Sequence, residues 1–166
     1  MLSVFRRFTV CCACVLFLAG SATAGFAAPD PEIAPDIEAP RTDPGAAVAD
    51  VAQQYIGSPY RFGGTSPAGF DCTGFVLFVY SQFGISLPHN EAGQLASGPQ
   101  VGADDLQPGD VLVFANTYRA GLSHTGIYIG DGQFVHAADE RHGVIVSALS
   151  NSYWSQRLVG ATRAVT

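Results

Sequence analysis

The chain of 166 residues contains no lysine, and charged residues make up only 13% of it. Its eight basic residues are all arginines and face 14 acidic residues, so the net charge at pH 7 is −6. No basic stripe is available to follow a phosphate backbone, which excludes the usual electrostatic signature of a nucleic-acid-binding protein. Hydrophobic residues make up 48% of the chain, a share that excludes an intrinsically disordered protein.

Long hydrophobic runs are also missing. An apolar run over residues 9–19 follows two arginines and is too short to cross a bilayer. The small-x-small pattern at 22–24 completes the signature of an export signal, so we interpret residues 1–24 as a signal peptide. A second candidate cleavage point follows Ala27. The protein is therefore expected to be secreted or periplasmic, with no membrane segment in its mature form.

Cysteine is scarce in the part that folds. Cys11, Cys12 and Cys14 lie inside the predicted signal peptide, which leaves Cys72 as the one thiol of the mature chain. A single cysteine cannot form an intramolecular disulfide. An odd thiol outside the cytosol is an intermolecular link, an inert buried residue or a reactive group.

The remaining sequence divides into a linker and one domain. Residues 25–43 carry four prolines and several acids, a composition typical of an extended linker. Residues 44–166 are long enough for one domain with one modest core, and no internal repeat is present.

Helix signals dominate the first half of this domain and strand signals the second half. Cap residues and helical spacing predict helices that begin at Pro44, at Cys72 and near Asn90. Period-two patterns predict strands over 111–115, 124–129, 133–137, 144–148 and 158–164. This order predicts an α+β fold in which N-terminal helices pack on a C-terminal antiparallel β-sheet meander.

Cys72 is predicted at the first position of its helix. Unpaired N–H groups and the helix dipole favour a thiolate there, and the same N–H groups can stabilise an oxyanion. Taken alone the signal is weak, because a cysteine beside Phe75 and Val76 is more often a packed apolar residue.

Two histidines strengthen the catalytic interpretation. If Gly130–Gly132 forms a three-residue turn, Gly126 faces His136, and His124 lies diagonally across on the same face of the hairpin. A two-residue turn would put the two histidines on opposite faces. A shared face supplies a base, His124, and a second imidazole, His136, that orients it.

Two other interpretations of these residues remain open. Each histidine could be an ordinary strand residue with a satisfied ring. Cys72 and the two histidines are also zinc-ligand types, but closely spaced ligand pairs are missing and no fourth ligand stands out. We therefore expect no metal and no other cofactor.

Six segments in this order resemble the successive motifs of the NlpC-type cell-wall cysteine peptidases: PYRFGG at 59–64, FDCTGFV at 70–76, LQPGDVLVF at 106–114, SHTGIYIG at 123–130, FVHA at 134–137 and GATR at 160–163. The resemblance covers roughly residues 45–166. It implies a papain-like fold and a secreted endopeptidase that hydrolyses peptidoglycan stem peptides, typically between γ-D-glutamate and diaminopimelate or lysine. It also implies that Cys72 is the nucleophile, His124 the base and His136 the orienting residue.

The resemblance suggests roles for three more residues. Tyr60 matches a tyrosine near the nucleophile whose hydroxyl aids the oxyanion or the substrate. Asp71 caps the helix and could also bind a substrate amino group, and Ser123 could line the cleft. His89 and His142 match no catalytic motif, so we interpret them as surface or loop residues.

Two alternatives stay open, one of another class and one within the same enzyme class. The domain could be a catalytically weak module that binds the cell wall or a partner on the same fold. It could also be an amidase or acyltransferase that uses the same residues on another bond. Stem peptides are the expected partner, and the sequence leaves the bond that is cut and the oligomeric state undecided.

Overall fold

The computed structural model of the protein describes residues 43–165. The predicted signal peptide lies outside the described residues, as does the predicted linker except for Asp43. In chain order the elements are α1 (Pro44–Gln53), β1 (Thr65–Ser66), β2 (Gly69–Phe70), α2 (Cys72–Ser81), α3 (Glu91–Leu95), β3 (Gln100–Val101), a 3₁₀ turn (Ala103–Asp105), β4 (Val111–Ala115), β5 (Leu122–Gly130), β6 (Gln133–Ala137), β7 (Val144–Ala148), α4 (Ser152–Ser155) and β8 (Leu158–Thr162). Among these described elements, no helix has the length and apolarity needed to cross a membrane.

The helices begin where their cap residues predict. The Asp43 carboxylate accepts the N–H of Gly45 at 3.0 Å, with proline at the first helical position of α1. Asp71 caps α2 in the same way and accepts the N–H of Gly74 at 2.6 Å. These caps satisfy N–H groups that the first helical turn leaves unpaired, and they place Cys72 at the first position of α2.

Within residues 43–165 the main sheet has six antiparallel strands in the order β3-β8-β4-β5-β6-β7. The predicted α+β class with an antiparallel sheet is confirmed. The meander runs from β4 to β7, whereas β8 returns to pair with β4 on the opposite side. Because β4 is buried along Val111–Phe114, its backbone needs a hydrogen-bonded strand on both edges, and β5 and β8 fill these two places. The segment that contains α4 is long enough to carry the chain from β7 back to the free edge of β4.

The sheet has two packed faces because successive side chains of a strand point in opposite directions. Val113, Ile127 and Val135 lie on the face that packs against α1 and α2. Phe114 and Phe134 lie on the other face, with Trp154 packed against them. His124 and His136 fall on this second face by alternation.

The turn between β5 and β6 differs from the expected one. Asp131 and Gly132 form a two-residue turn with φ of 51° and 69°, as type I′ hairpins require, so the predicted three-residue turn is wrong. The ladder also shifts between Tyr128 and Gly130, where Ile129 is the extra residue of a β-bulge. The bulge cancels the effect of the shorter turn, so the two histidines share a face as predicted.

Candidate active site

Cys72 is nearly buried at the start of α2, with 3% of its surface exposed. Burial raises the pKa of its thiol to about 12, against the lowering effect of a hydrogen bond from the backbone of Thr125, and the Asp71 carboxylate adds to the rise. The thiol is therefore protonated near neutral pH, and burial outweighs the helix N-terminus that predicted a thiolate. This contact joins the Cys72 thiol to β5 at the backbone of the residue that follows His124.

His124 and His136 are joined by a hydrogen bond. His124 Nε2 lies 2.7 Å from His136 Nδ1, and the rings are nearly perpendicular at a centroid distance of 4.9 Å. Burial lowers the pKa of His124 to about 4 and holds that of His136 well below its ordinary value. Both imidazoles are thus neutral near pH 7, and a neutral imidazole can accept a proton.

Ser147 on β7 extends the pair to a chain of three side chains. Its Oγ lies 2.9 Å from His136 Nε2. When His136 donates its Nε2–H to Ser147, its Nδ1 accepts the Nε2–H of His124, which leaves Nδ1 of His124 unprotonated. Sequence reasoning missed Ser147, because its place beside His136 depends on the β6–β7 register, in which it pairs with Phe134.

Aromatic side chains enclose the two imidazoles. Phe134 stacks on His136 at 4.7 Å, and the Trp154 ring lies 5.3 Å from His124 and 4.8 Å from His136. Gly126 leaves the space that this packing needs, since an added Cβ would lie 2.7 Å from the Phe134 ring and 3.1 Å from the His136 Cβ. Trp154 belongs to α4, a helix of four residues that the sequence analysis missed.

Tyr60 lies close to Cys72. It is half-buried and forms a β-bridge with Phe70, the second residue before Cys72. Burial raises the pKa of the Tyr60 hydroxyl to about 12, with further contributions from Cys72 and Asp71. The hydroxyl therefore stays protonated and can donate a hydrogen bond near the thiol.

Asp71 is held by donors on both carboxylate oxygens. Besides capping α2, it accepts the N–H of Gly63 at 2.9 Å and the hydroxyl of Thr73 at 3.1 Å. His89 Nε2 contacts both oxygens, at 2.9 and 3.1 Å. The interpretation of His89 as a plain surface or loop residue missed this contact, for which the sequence offers no spacing signal. His142 lies on an exposed loop and pairs with Asp139.

Ser123 is buried and its hydroxyl faces the β4–β5 loop. Its Oγ accepts the N–H of Thr117 at 3.0 Å and lies 2.8 Å from the Thr117 hydroxyl. The structure thus uses Ser123 to hold this loop next to His124. A second anchor is the ion pair between Arg119 of the loop and the nearly buried Glu91 of α3, at 2.9 Å.

Within residues 43–165, no three histidine, cysteine, aspartate or glutamate side chains form a group that could hold a metal ion.

A family model described as the NlpC/P60 family matches residues 57–163 of the chain. The chain belongs to the NlpC/P60 family. The family predicted from the motifs is confirmed. The match spans the residues that carry Cys72, His124 and His136.

Named relatives of this NlpC/P60 chain are hydrolases. It is 45% identical over 118 residues to a gamma-DL-glutamyl hydrolase of Bacillus subtilis, covering 70% of this chain and 28% of that protein. It is 42% identical over 112 residues to a probable endopeptidase p60 of Listeria seeligeri, covering 68% of this chain and 21% of that protein. The chain thus spans between a fifth and a third of the length of these relatives.

A solved structure shares the fold. The NlpC/p60 domain of the peptidoglycan hydrolase SagA is 32% identical, with a TM-score of 0.63. The alignment covers 72% of this chain and 97% of that domain. The likeness therefore covers nearly all of that domain.

Proposed function

We propose that this NlpC/P60 domain is a cysteine endopeptidase that hydrolyses peptidoglycan stem peptides at the bond between γ-D-glutamate and diaminopimelate or lysine. The observation that carries the proposal is the hydrogen-bonded pair His124–His136, with the Cys72 thiol at the backbone of Thr125. The names of the relatives, a γ-glutamyl hydrolase, an endopeptidase and a peptidoglycan hydrolase, support the substrate class.

The proposed reaction begins with a protonated thiol and a neutral imidazole. Nε2 of His124 is engaged by His136, so Nδ1 is the ring nitrogen that accepts the Cys72 proton. With the pKa of the thiol near 12 and that of His124 near 4, the resting ion pair is unfavourable. Proton transfer therefore accompanies attack on the scissile carbonyl carbon and does not precede it.

Attack by sulfur turns the carbonyl oxygen into an oxyanion that needs donors. The backbone N–H of Cys72 at the start of α2 and the Tyr60 hydroxyl are the proposed donors. The raised pKa of Tyr60 suits this role, because its hydroxyl keeps its proton throughout the pH range in which the enzyme would work.

His124 then returns the proton to the leaving amine, and the C–N bond breaks to leave a thioester on Cys72. Water, deprotonated by His124, hydrolyses the thioester and restores the thiol. His136 and Ser147 keep the His124 ring in one orientation and tautomer through both steps, which is the role of a third triad member.

Asp71 acts in this proposal mainly by capping α2 beneath the nucleophile. Both of its oxygens already have donors, so a substrate amino group would have to displace His89, the only side chain among these donors that is one-third exposed. We also propose that residues 1–24 direct export, which would bring the enzyme to a cell-wall substrate.

The decisive experiment identifies the bond. Purified peptidoglycan is incubated with the protein, and the released fragments are identified by mass spectrometry. We expect fragments that end in γ-D-glutamate, with a new amine on diaminopimelate or lysine. Free stem peptides with an N-terminal L-alanine would instead indicate an amidase, and protein bound to the wall without fragments would indicate a binding module.

A further inference from the structure

A cavity of about 280 Å³ opens beside His124 on the side of the site that the mechanism has not used. Tyr118, Tyr153 and Trp154 form its aromatic walls, and Asp139 contributes its one carboxylate. Its size is at the small end of ligand pockets, which suits one amino-acid residue better than a disaccharide.

The chemistry of the proposed reaction indicates which half of the substrate this cavity binds. The base that protonates the leaving amine must lie next to it, so the residue that carries this amine lies on the His124 side of the scissile bond. His124 lines the cavity, whereas Cys72, Tyr60 and Asp71 do not. The acyl half of the substrate belongs with these three residues, and the leaving half belongs in the cavity.

We propose that this cavity binds the leaving residue of the substrate, and that Asp139 recognises a positively charged side-chain amine on that residue. The inference rests on the proposed function and adds to it the location and chemistry of the leaving-group site. A diamino acid has the matching parts, a methylene chain for the aromatic walls and an ammonium group for the carboxylate.

The Asp139 carboxylate is held in one position before a side-chain amine binds. Its Oδ1 accepts the N–H groups of Arg141 at 2.8 Å and His142 at 3.0 Å, which fixes the carboxylate on its loop. The hydrogen bond from the His142 ring, together with these N–H groups, lowers the pKa of Asp139 and keeps it ionised. His142 Nδ1 lies 2.9 Å from both carboxylate oxygens, so a bound ammonium group would share or displace this ring. The Asp139 side chain is 56% exposed, and a ligand can therefore reach it.

The opposite wall is also held before any ligand binds. Tyr118 is 61% exposed, and it lies between two anchors of the β4–β5 loop, the Thr117–Ser123 hydrogen bonds and the Arg119–Glu91 ion pair. Its ring is therefore available to pack along the methylene chain of a bound residue. A preformed wall lowers the entropy that ligand binding would otherwise cost.

The test compares two peptides, L-alanyl-γ-D-glutamyl-L-lysine and the same sequence with an acetylated lysine side chain. The proteins are the wild type, Asp139→Asn, and Asp131→Asn as a control. The side-chain amide in Asp139→Asn keeps an acceptor for the loop N–H groups. Asp131→Asn makes the same charge change in the β5–β6 turn, where asparagine tolerates the φ of 51°. Thermal unfolding verifies that each variant is folded.

We expect wild type and Asp131→Asn to prefer the lysine peptide by about two- to fivefold in kcat/KM, the size of an exposed charge pair. Asp139→Asn should lose this preference through a higher KM for the lysine peptide alone. Equal kcat/KM ratios for the two peptides in wild type and Asp139→Asn would overturn the inference while leaving the proposed function standing. Failure of the wild type to cut the γ-D-glutamyl bond of either peptide would overturn the proposed function itself.

Discussion

Nε2 of His124 and Nδ1 of His136 lie 2.7 Å apart, across two strands that a β-bulge at Ile129 brings into register. This contact connects a feature of the hairpin turn to the chemistry of the site. Without the bulge, the two-residue turn at Asp131 and Gly132 would place one imidazole on each face of the sheet. The hairpin therefore determines whether the rings of His124 and His136 can contact each other.

Loss of the Ser147 hydroxyl should slow catalysis without unfolding the domain. Ser147→Ala removes the acceptor that holds His136 in the tautomer useful to His124, so we expect kcat to fall about five- to tenfold, the value of one hydrogen bond, with KM little changed. Ser81→Ala is the matched control, because its exposed hydroxyl contacts only the Phe78 carbonyl and the Gln82 side chain of its own helix. Equal kcat values for the two variants would contradict the chain of hydrogen bonds.

Burial of neutral His124 should make stability depend on pH. Its pKa of about 4 in the folded state lies below the ordinary value of 6.5, so the unfolded state binds a proton more readily. The contribution is present above pH 6.5 and is lost as the pH falls towards 4, by about 3 kcal/mol in the free energy of unfolding. Urea titrations across this range should therefore give a flatter pH dependence for His124→Gln than for wild type.

Ser81→Ala, which changes an exposed hydroxyl of α2, provides the control for that experiment. This variant removes no titratable group and should keep the wild-type slope between pH 6.5 and 4. A His124→Gln slope that matches the wild type would show that His124 is not buried in its neutral form.

The resting thiol should show no plateau of reactivity near neutral pH. Since burial raises the pKa of Cys72 to about 12, alkylation by iodoacetamide should still accelerate with each step in pH between 6 and 10. The rate is followed by the mass of the peptide that contains Cys72. A plateau between pH 6 and 8 would instead reveal a thiolate–imidazolium pair in the free enzyme.

A methyl group at position 126 should disturb the packing around His136 and with it the His124–His136 pair. In Gly126→Ala the new Cβ would lie 2.7 Å from the Phe134 ring and 3.1 Å from the His136 Cβ, so we expect a loss of about 1–3 kcal/mol in stability and a lower kcat. Gly160→Ala on β8 is the control, since its nearest neighbours lie at 3.5 Å or beyond. The measurements are urea unfolding and peptide cleavage. Unchanged values for Gly126→Ala would contradict the tight packing around His136.

Much of this fold could be predicted because its signals are local. The caps Asp43 and Asp71 set the starts of two helices, and period-two patterns located the strands from β4 onward. The same local signals placed Cys72 at the first position of its helix and both histidines on strands.

The features that sequence reasoning missed depend on distant pairing. The bulge at Ile129 has no side-chain signal, because isoleucine fits a regular strand equally well. Ser147 reaches His136 only through the β6–β7 register, and Trp154 reaches both histidines only because β8 crosses back to β4. His89 contacts Asp71 although the two residues are 18 positions apart in the chain, a separation that no spacing rule predicts.

The most direct test of the account is the rate at which Cys72→Ala cleaves the γ-D-glutamyl bond of a stem peptide. Thr73→Ser serves as the control, because it changes the next residue of α2 and keeps its hydroxyl. We predict that Thr73→Ser stays close to wild type while Cys72→Ala loses more than about 10³-fold in kcat, as expected when a covalent nucleophile is removed. Cleavage by folded Cys72→Ala at the wild-type rate would contradict the account.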